Sequence, residues 1–152
     1  MATLSTPNTQ READETEIRH LVADLAHAIQ AKDLDAIRRI YAEDVVSFDV
    51  EPPLQHLGID AKLKNWERVF TIFQEVEYDL RDLVVTTGDE VAFTHAFGRL
   101  HGTLANGTTT DGMWVRATLG LQKRDGRWIV IHDQASVPFD VVSGKGVADL
   151  EP

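Results

Sequence analysis

The stretch Asp125-Gly126-Arg127-Trp128-Ile129-Val130-Ile131-His132-Asp133-Gln134-Ala135-Ser136 decides the fold. Asp-Gly accepts the positive backbone angles of a tight hairpin turn. The residues after it are β-branched and aromatic, the composition of a strand. The same pattern recurs upstream. Residues 76–87, 91–104 and 109–123 share this character, and Thr87-Gly88-Asp89-Glu90 and Ala105-Asn106-Gly107-Thr108 separate them. Four long strands are predicted, the last over 127–139, and tight turns make them antiparallel neighbours.

Further towards the N-terminus the apolar period changes. Ile18, Leu21, Val22, Leu25 and Ile29 recur at spacings of three and four, which predicts a helix. Glu12, Asp14, Glu15 and Glu17 crowd its first turns, where the helix dipole favours negative charge. Asp33 is placed to cap a shorter helix carrying Leu34, Ile37, Ile40 and Tyr41. Residues 45–50 predict a short strand that Glu51-Pro52-Pro53 stops, because proline cannot donate to a ladder. A third helix follows Gly58, with Ile59, Leu63, Trp66, Phe70 and Phe73 on one face. Helices segregated from antiparallel strands define an α+β protein. Three helices cover only one face of such a sheet. The expected result is a bent sheet wrapped around a helix layer, with a concave space suited to a small ligand. Residues 1–9 are expected to form a loose tail, 10–140 one domain, and 141–152 an extended tail.

Composition narrows the function classes. Of 152 residues, 43% are hydrophobic and 26% charged, the balance of a globular chain rather than a disordered one. No apolar run approaches the roughly 20 residues of a membrane span. The polar start from Met1 to Gln10 lacks the apolar core of a secretory signal, so a cytoplasmic protein is expected. A formal charge of −10 repels phosphate backbones and anionic lipid, so neither nucleic acid nor membrane is an expected partner. Cysteine is absent, which removes thiolate nucleophiles and cysteine-bound metals. His95 and His101, six apart on one strand, are too distant to share a metal, and no metal is expected.

Three stretches carry a family likeness. Ala31-Lys32-Asp33-Leu34-Asp35-Ala36-Ile37 running on to Tyr41-Ala42-Glu43-Asp44-Val45-Val46 is one, Gly58-Ile59-Asp60-Ala61 the second, and the 125–136 hairpin and strand the third. Together with the element order, they resemble the nuclear transport factor 2-like superfamily, and most of all its SnoaL-like and ketosteroid-isomerase-like branch. The resemblance spans roughly residues 12–139. It implies a cone-shaped, curved antiparallel sheet wrapped around three N-terminal helices, a cystatin-like cone, and a homodimer packed sheet to sheet. It does not select an activity, because this fold hosts isomerases, cyclases, dehydratases, epoxide hydrolases and non-catalytic binding domains.

The resemblance implies a proton-shuttling role for Asp49, at the end of the first strand. A carboxylate in an apolar pocket suits that task, since desolvation raises its pKa. Asp49 as a solvated strand-end carboxylate, or as a partner of Arg116, is the alternative. The family's tyrosine oxyanion donor, eight residues before the aspartate matching Asp33, falls here on Leu25. Its acidic second donor falls near Ala117 or Thr118. Missing oxyanion donors cost orders of magnitude in rate, so a true steroid isomerase is not expected.

Period two places Trp128, Val130, His132, Gln134 and Ser136 on one strand face. On that basis His132 is an acid-base candidate, while Gln134 and Arg116 orient a ligand. The opposite face, Ile129, Ile131, Ala135 and Val137, is apolar apart from Asp133. Tyr41, Trp66 and Trp114 are candidate pocket walls, and Asp111 a candidate acid at the pocket mouth. The leading expectation is a small-molecule-binding protein that performs cofactor-free isomerisation, cyclisation or dehydration on an apolar organic substrate. A non-catalytic binding or dimerisation module is the competing class. Epoxide hydrolysis through Asp49, Arg116 and Asp111 is a third.

Overall fold

The fold is described from a computed structural model, which describes residues 7–152. Helix α1 (Pro7–Gln30) leads into α2 (Leu34–Ile40), β1 (Tyr41–Phe48), β2 (His56–Leu57) and α3 (Ile59–Ile72). The four predicted strands follow as β3 (Phe73–Thr87), β4 (Val91–Leu104), β5 (Thr109–Arg124) and β6 (Arg127–Ser136). A small ribbon, β7 (Phe139–Asp140) and β8 (Lys145–Gly146), lies within the C-terminal segment. The expected tail over 1–9 falls largely outside the described residues, and 7–9 belong to α1.

The sheet is open, curved and mixed, in the order β2-β1-β6-β5-β4-β3. The four long strands are antiparallel neighbours, as expected, and β1 joins them by pairing parallel to β6. The intervening α3 and the β3–β5 meander supply the long crossover that a parallel pair requires. Register shifts mark where the sheet bends: in β3 between Arg81 and Val84, in β4–β5 at Leu100 and Gly102, and in β5–β6 at Gly120 and Leu121. An extra residue on one strand bends that strand and raises its twist. At Gly112 (φ 65°) a Cβ would lie 1.8 Å from the Leu100 carbonyl oxygen, so only glycine fits that bend.

The helices fill the concave side. Ile18, Val22, Leu25 and Ile29 of α1 pack with Ile37, Val45, Phe70, Leu121, Trp128 and Val130 in one core. Asp33 caps α2 as expected, its Oδ1 accepting from the Ala36 amide at 3.0 Å. Gly58 (φ 83°) starts α3, and its amide donates to the Val45 carbonyl at 2.8 Å, tying that helix to β1. Among the described residues no helix is long and apolar enough to cross a membrane.

One buried charge fastens the first helix to the sheet. Asp14 is 2% exposed, although its neighbours in the acidic start of α1 face solvent. It accepts from Trp128 Nε1 at 3.1 Å and Gln10 Nε2 at 3.2 Å, and pairs with Lys123 Nζ at 2.8 Å. Burial alone would raise its pKa, but the hydrogen bonds from Lys123, Trp128 and Gln10 outweigh it and hold the carboxyl below its ordinary 3.8. A folded-state value below the unfolded one gives stability that is complete above about pH 4 and lost as pH falls through the folded value. Asp14→Asn is therefore expected to cost about 1–3 kcal/mol at pH 7 and to flatten the acid limb of stability. Urea midpoints of both proteins between pH 7 and pH 3 check this. Parallel pH responses would contradict it.

Candidate functional site

The curl of the sheet and the underside of α1 and α3 enclose a cavity of about 400 Å³. Much of its wall is hydrocarbon. Leu25 and Ile29 come from α1, Val69 from α3, Phe73 from β3, and Leu100 and Leu119 from the sheet. Polar groups gather on the β1, α3 and β6 side: Tyr41, Asp49, Lys62, Asn65 and Asp133, with Tyr78 from β3. Few polar side chains in an apolar hollow is the usual make-up of a small-molecule site.

Asp49 follows β1 directly, where the strand gives way to the Glu51-Pro52-Pro53 segment. Its Oδ1 accepts from the Val50 amide at 2.7 Å and its Oδ2 from Asn65 Nδ2 at 2.6 Å. Asn65 sits on α3, three residues beyond Lys62, on the helix face that looks into the cavity. The carboxylate is thus aimed by a helix amide, not by Arg116. Glu51 pairs with Arg68, so a second α3 side chain holds the segment that follows β1.

A second cluster lies deeper. Lys62 is 5% exposed and Asp133 7% exposed, and their Nζ and Oδ2 are 2.6 Å apart. The same Oδ2 accepts from the Tyr41 hydroxyl at 2.8 Å, and Lys62 donates to Ser47 Oγ at 3.0 Å. Lys62 Nζ also stands 5.4 Å from the Tyr41 ring centroid and 5.9 Å from that of Trp66. Burial raises the Tyr41 pKa well above 10.0, with the charge of Asp133 and the hydrogen bond to it adding to the effect. Burial, then the charges of Asp133 and Asp49, push Tyr78 up to about 12. Both phenols are therefore neutral hydrogen-bond donors across the physiological range.

Of the residues expected at the site, Asp49, Tyr41 and Trp66 line the cavity. His132, Gln134, Arg116, Trp114 and Asp111 do not. The reason lies in β6. Trp128 and Val130 face the core as period two requires, but the strand pairs Val130 with Leu121 and His132 with Gly120. Ile131 is the extra residue of a bulge, which reverses the alternation beyond it. Asp133 and Ala135 consequently turn into the cavity, and His132 and Gln134 turn out. His132 Nδ1 lies 2.6 Å from the Val46 carbonyl oxygen, and its ring meets Phe48 edge-on at 4.7 Å. Arg116 is exposed and its Nε donates to Ser136 Oγ at 3.1 Å. Trp114, paired with Arg99, carries the guanidinium groups of Arg99 and Arg81 near its ring, at 4.9 and 5.9 Å from the centroid. Asp111 is exposed, so the trio Asp49, Arg116 and Asp111 is not assembled. Leu25 lines the cavity with hydrocarbon, as does Ala117, whereas Thr118, the other residue at which the resemblance puts a second oxyanion donor, is exposed.

Lys62, Asn65, Tyr78 and Asp133 were not singled out from the sequence. For Asp133 a signal existed, as the one acid interrupting an apolar face. For Lys62 the signal was its place one residue before Leu63, close to the apolar stripe of α3. Among the described residues no group of three or more His, Asp or Glu side chains is placed to hold a metal ion.

A wrapped, open α+β sheet with a partly polar hollow between sheet and helices defines a class of protein that comparison identifies. The chain belongs to the SnoaL-like domain family, whose model matches residues 18–140. It is similar over 93% of its length to 98% of a nuclear transport factor 2-like protein of unknown function from Pseudomonas putida KT2440, at 31% identity and a TM-score of 0.83. It shares its fold with a superfamily protein from Salmonella enterica serovar Typhimurium (14% identity, 90% and 99% of the two chains, TM-score 0.78). The same holds for a candidate dehydratase of this family from Streptomyces avermitilis (14% identity, 86% and 99%, TM-score 0.74). None of the curated proteins compared matches the chain.

Proposed function

We propose that the chain binds a small, largely apolar organic molecule in this cavity and moves a proton on it without a cofactor, as in isomerisation, cyclisation or dehydration. The single observation that supports this is the placement of Asp49. It is a carboxylate at the edge of a hydrocarbon-walled hollow, held by Asn65 and by its own neighbouring amide rather than by a cation. The carboxylate thus stands in the cavity wall with no arginine or lysine paired to it among the described residues. In this account Asp49 takes a proton from a carbon of the ligand. The electron pair moves towards a ligand oxygen, and the proton returns to another carbon or leaves with a hydroxyl as water. Tyr78 and Lys62 are the donors available to the oxygen on which charge builds. His132 has no part in it, because its ring lies on the other side of the sheet.

A second reading concerns the outer sheet face, where Phe48, Phe93 and Val84 are 38%, 48% and 44% exposed. Together with Trp114, this apolar surface favours pairing of two copies sheet to sheet, with residues 10–140 acting as the folding unit.

The test is thermal shift against steroids, terpenoids and aromatic polyketides. A ligand that binds only the folded state raises the melting temperature, by ~2.7 kcal/mol of added stability at a hundred-fold excess over Kd. At least one class is expected to do so. No rise with any member contradicts a ligand role and favours the dimerisation module.

A further inference from the structure

Tyr78 lines the cavity, and its hydroxyl has no hydrogen-bond partner among the described residues. It is not closed off either. Tyr78 is half-buried, and its hydroxyl is not one of the sealed, unpartnered polar atoms. By contrast, Tyr41 donates to Asp133, Lys62 to Asp133 and Ser47, and Asn65 to Asp49. Burial and the charges of Asp133 and Asp49 hold the Tyr78 phenol in its protonated form. A hydroxyl proton is thus presented to the hollow with no protein group to receive it.

Gly98 sets where that proton sits. Tyr78 on β3 pairs with Leu100 on β4, and Gly98 lies two residues away on β4, between Leu80 and Val115. The Tyr78 ring leans diagonally across β4 onto Gly98, a reach open to aromatic side chains. A Cβ on Gly98 would stand 2.2 Å from Tyr78 Oη and 2.8 Å from its Cζ. The backbone does not demand glycine there, because Gly98 is not among the residues with positive φ. Space alone demands it. Leu100 and Val115, the strand partners of Tyr78 and Gly98, line the same wall with hydrocarbon. A hydrogen bond made in such surroundings is stronger than one in water. Asp49 and Asp133 both act on this phenol through their charge, so a ligand anion placed against it meets like charge. In the proton transfer proposed above, charge builds on an oxygen conjugated to the carbon that loses its proton. A carbonyl oxygen meets that need.

We propose that Gly98 is a positioning residue that seats the Tyr78 hydroxyl as donor to a ligand oxygen, and that the cavity selects neutral carbonyl compounds over carboxylates of the same skeleton. The carbonyl oxygen accepts from Tyr78 Oη, and no covalent bond changes in this recognition. The proposal rests on the reading that the cavity is a ligand site and deepens it by naming the group recognised.

The experiment measures binding of α-tetralone, tetralin and the tetralin carboxylate substituted at the same carbon, by calorimetry on the full chain. The first two share a bicyclic skeleton and differ in the oxygen. In Tyr78→Phe the Kd for α-tetralone is expected to rise about five- to ten-fold, while that for tetralin stays within about two-fold. The stability of this variant is expected to match the native protein, since the hydroxyl has no partner to lose. Gly98→Ala displaces the hydroxyl and is expected to weaken α-tetralone relative to tetralin by a similar factor. In the double variant the relative loss is expected to equal that of Tyr78→Phe alone, because both substitutions act on one hydrogen bond. The native protein is expected to bind the carboxylate about ten-fold more weakly than α-tetralone. Equal effects of Tyr78→Phe on α-tetralone and tetralin overturn the donor role, and additive losses in the double variant overturn the positioning role of Gly98. Carboxylate bound as tightly as ketone overturns the ligand class. Should Gly98→Ala not fold, Tyr78→Phe and the carboxylate decide. If tetralin binds and Tyr78→Phe brings no selective loss, this proposal fails while the cavity reading stands. If none of the three binds, both fail.

Discussion

Asp49→Asn is expected to lower kcat by about 10²–10⁴-fold on any substrate that the cavity turns over, the usual range for loss of a positioned base. Dissociation constants for non-reacting ligands should stay within about three-fold. The substitution removes basicity but keeps shape. The asparagine oxygen can still accept from the Val50 amide, while Asn65 can turn its amide toward the new partner only by giving up the contact its Oδ1 accepts from Arg68 at 3.2 Å. Loss of rate with retained binding separates a chemical role from a structural one. Steady-state kinetics beside calorimetry on both proteins measures it. Turnover within ten-fold of the native protein would remove Asp49 as the base.

Lys62→Met is expected to produce the largest loss of stability. Lys62 and Asp133 are 5% and 7% exposed and ion-paired at 2.6 Å. Removing the ammonium leaves Asp133 buried with only the Tyr41 hydroxyl to balance its charge. Breaking a buried pair from one side typically costs about 3–5 kcal/mol, roughly 6–20 °C in melting temperature for a chain of this size. Replacing both partners behaves differently. Lys62→Met with Asp133→Leu removes both desolvation penalties and should restore most of the stability. The cycle of two singles and a double, read by urea unfolding, gives the coupling directly. A single substitution costing under 1 kcal/mol would show that solvent or rearrangement reaches Asp133, and that the cluster is not a closed floor to the cavity.

Asp49 and the Lys62–Asp133 pair differ in how far the sequence reveals them. Asp49 was legible because it stands at the end of a short strand, directly before Glu51-Pro52-Pro53, and local signals of that kind survive folding. The hairpin turns were legible for the same reason, as was the Asp33 cap. The partners of Asp49 were not. Arg116 shares no side of the sheet with it, and the amide that holds it comes from Asn65, sixteen residues away on α3.

That Asp133 and not His132 lines the cavity has one cause. Strand alternation is a sound guide only while the register is unbroken. No glycine or proline announces the bulge at Ile131, so period two carried His132 and Gln134 inward on paper. In β4 alternation alone does not choose a face, since small and large residues occur on both. Ala96, Gly98 and Leu100 turn inward there, and a Cβ on Gly98 would strike the Tyr78 hydroxyl at 2.2 Å. The parallel pairing of β1 with β6 is also a tertiary choice. It leaves the local composition of 45–50 unchanged.

The hollow between α1, α3 and the sheet, with Asp49 at its edge, is the proposed ligand site. The most direct measurement is a crystal structure of the protein grown with a compound that raises its melting temperature. The account predicts that compound inside the cavity, its apolar body against Leu25, Val69 and Leu119 and a carbon within reach of Asp49. The compound bound elsewhere on the surface, with the cavity closed by Trp66 or Tyr78, would contradict it.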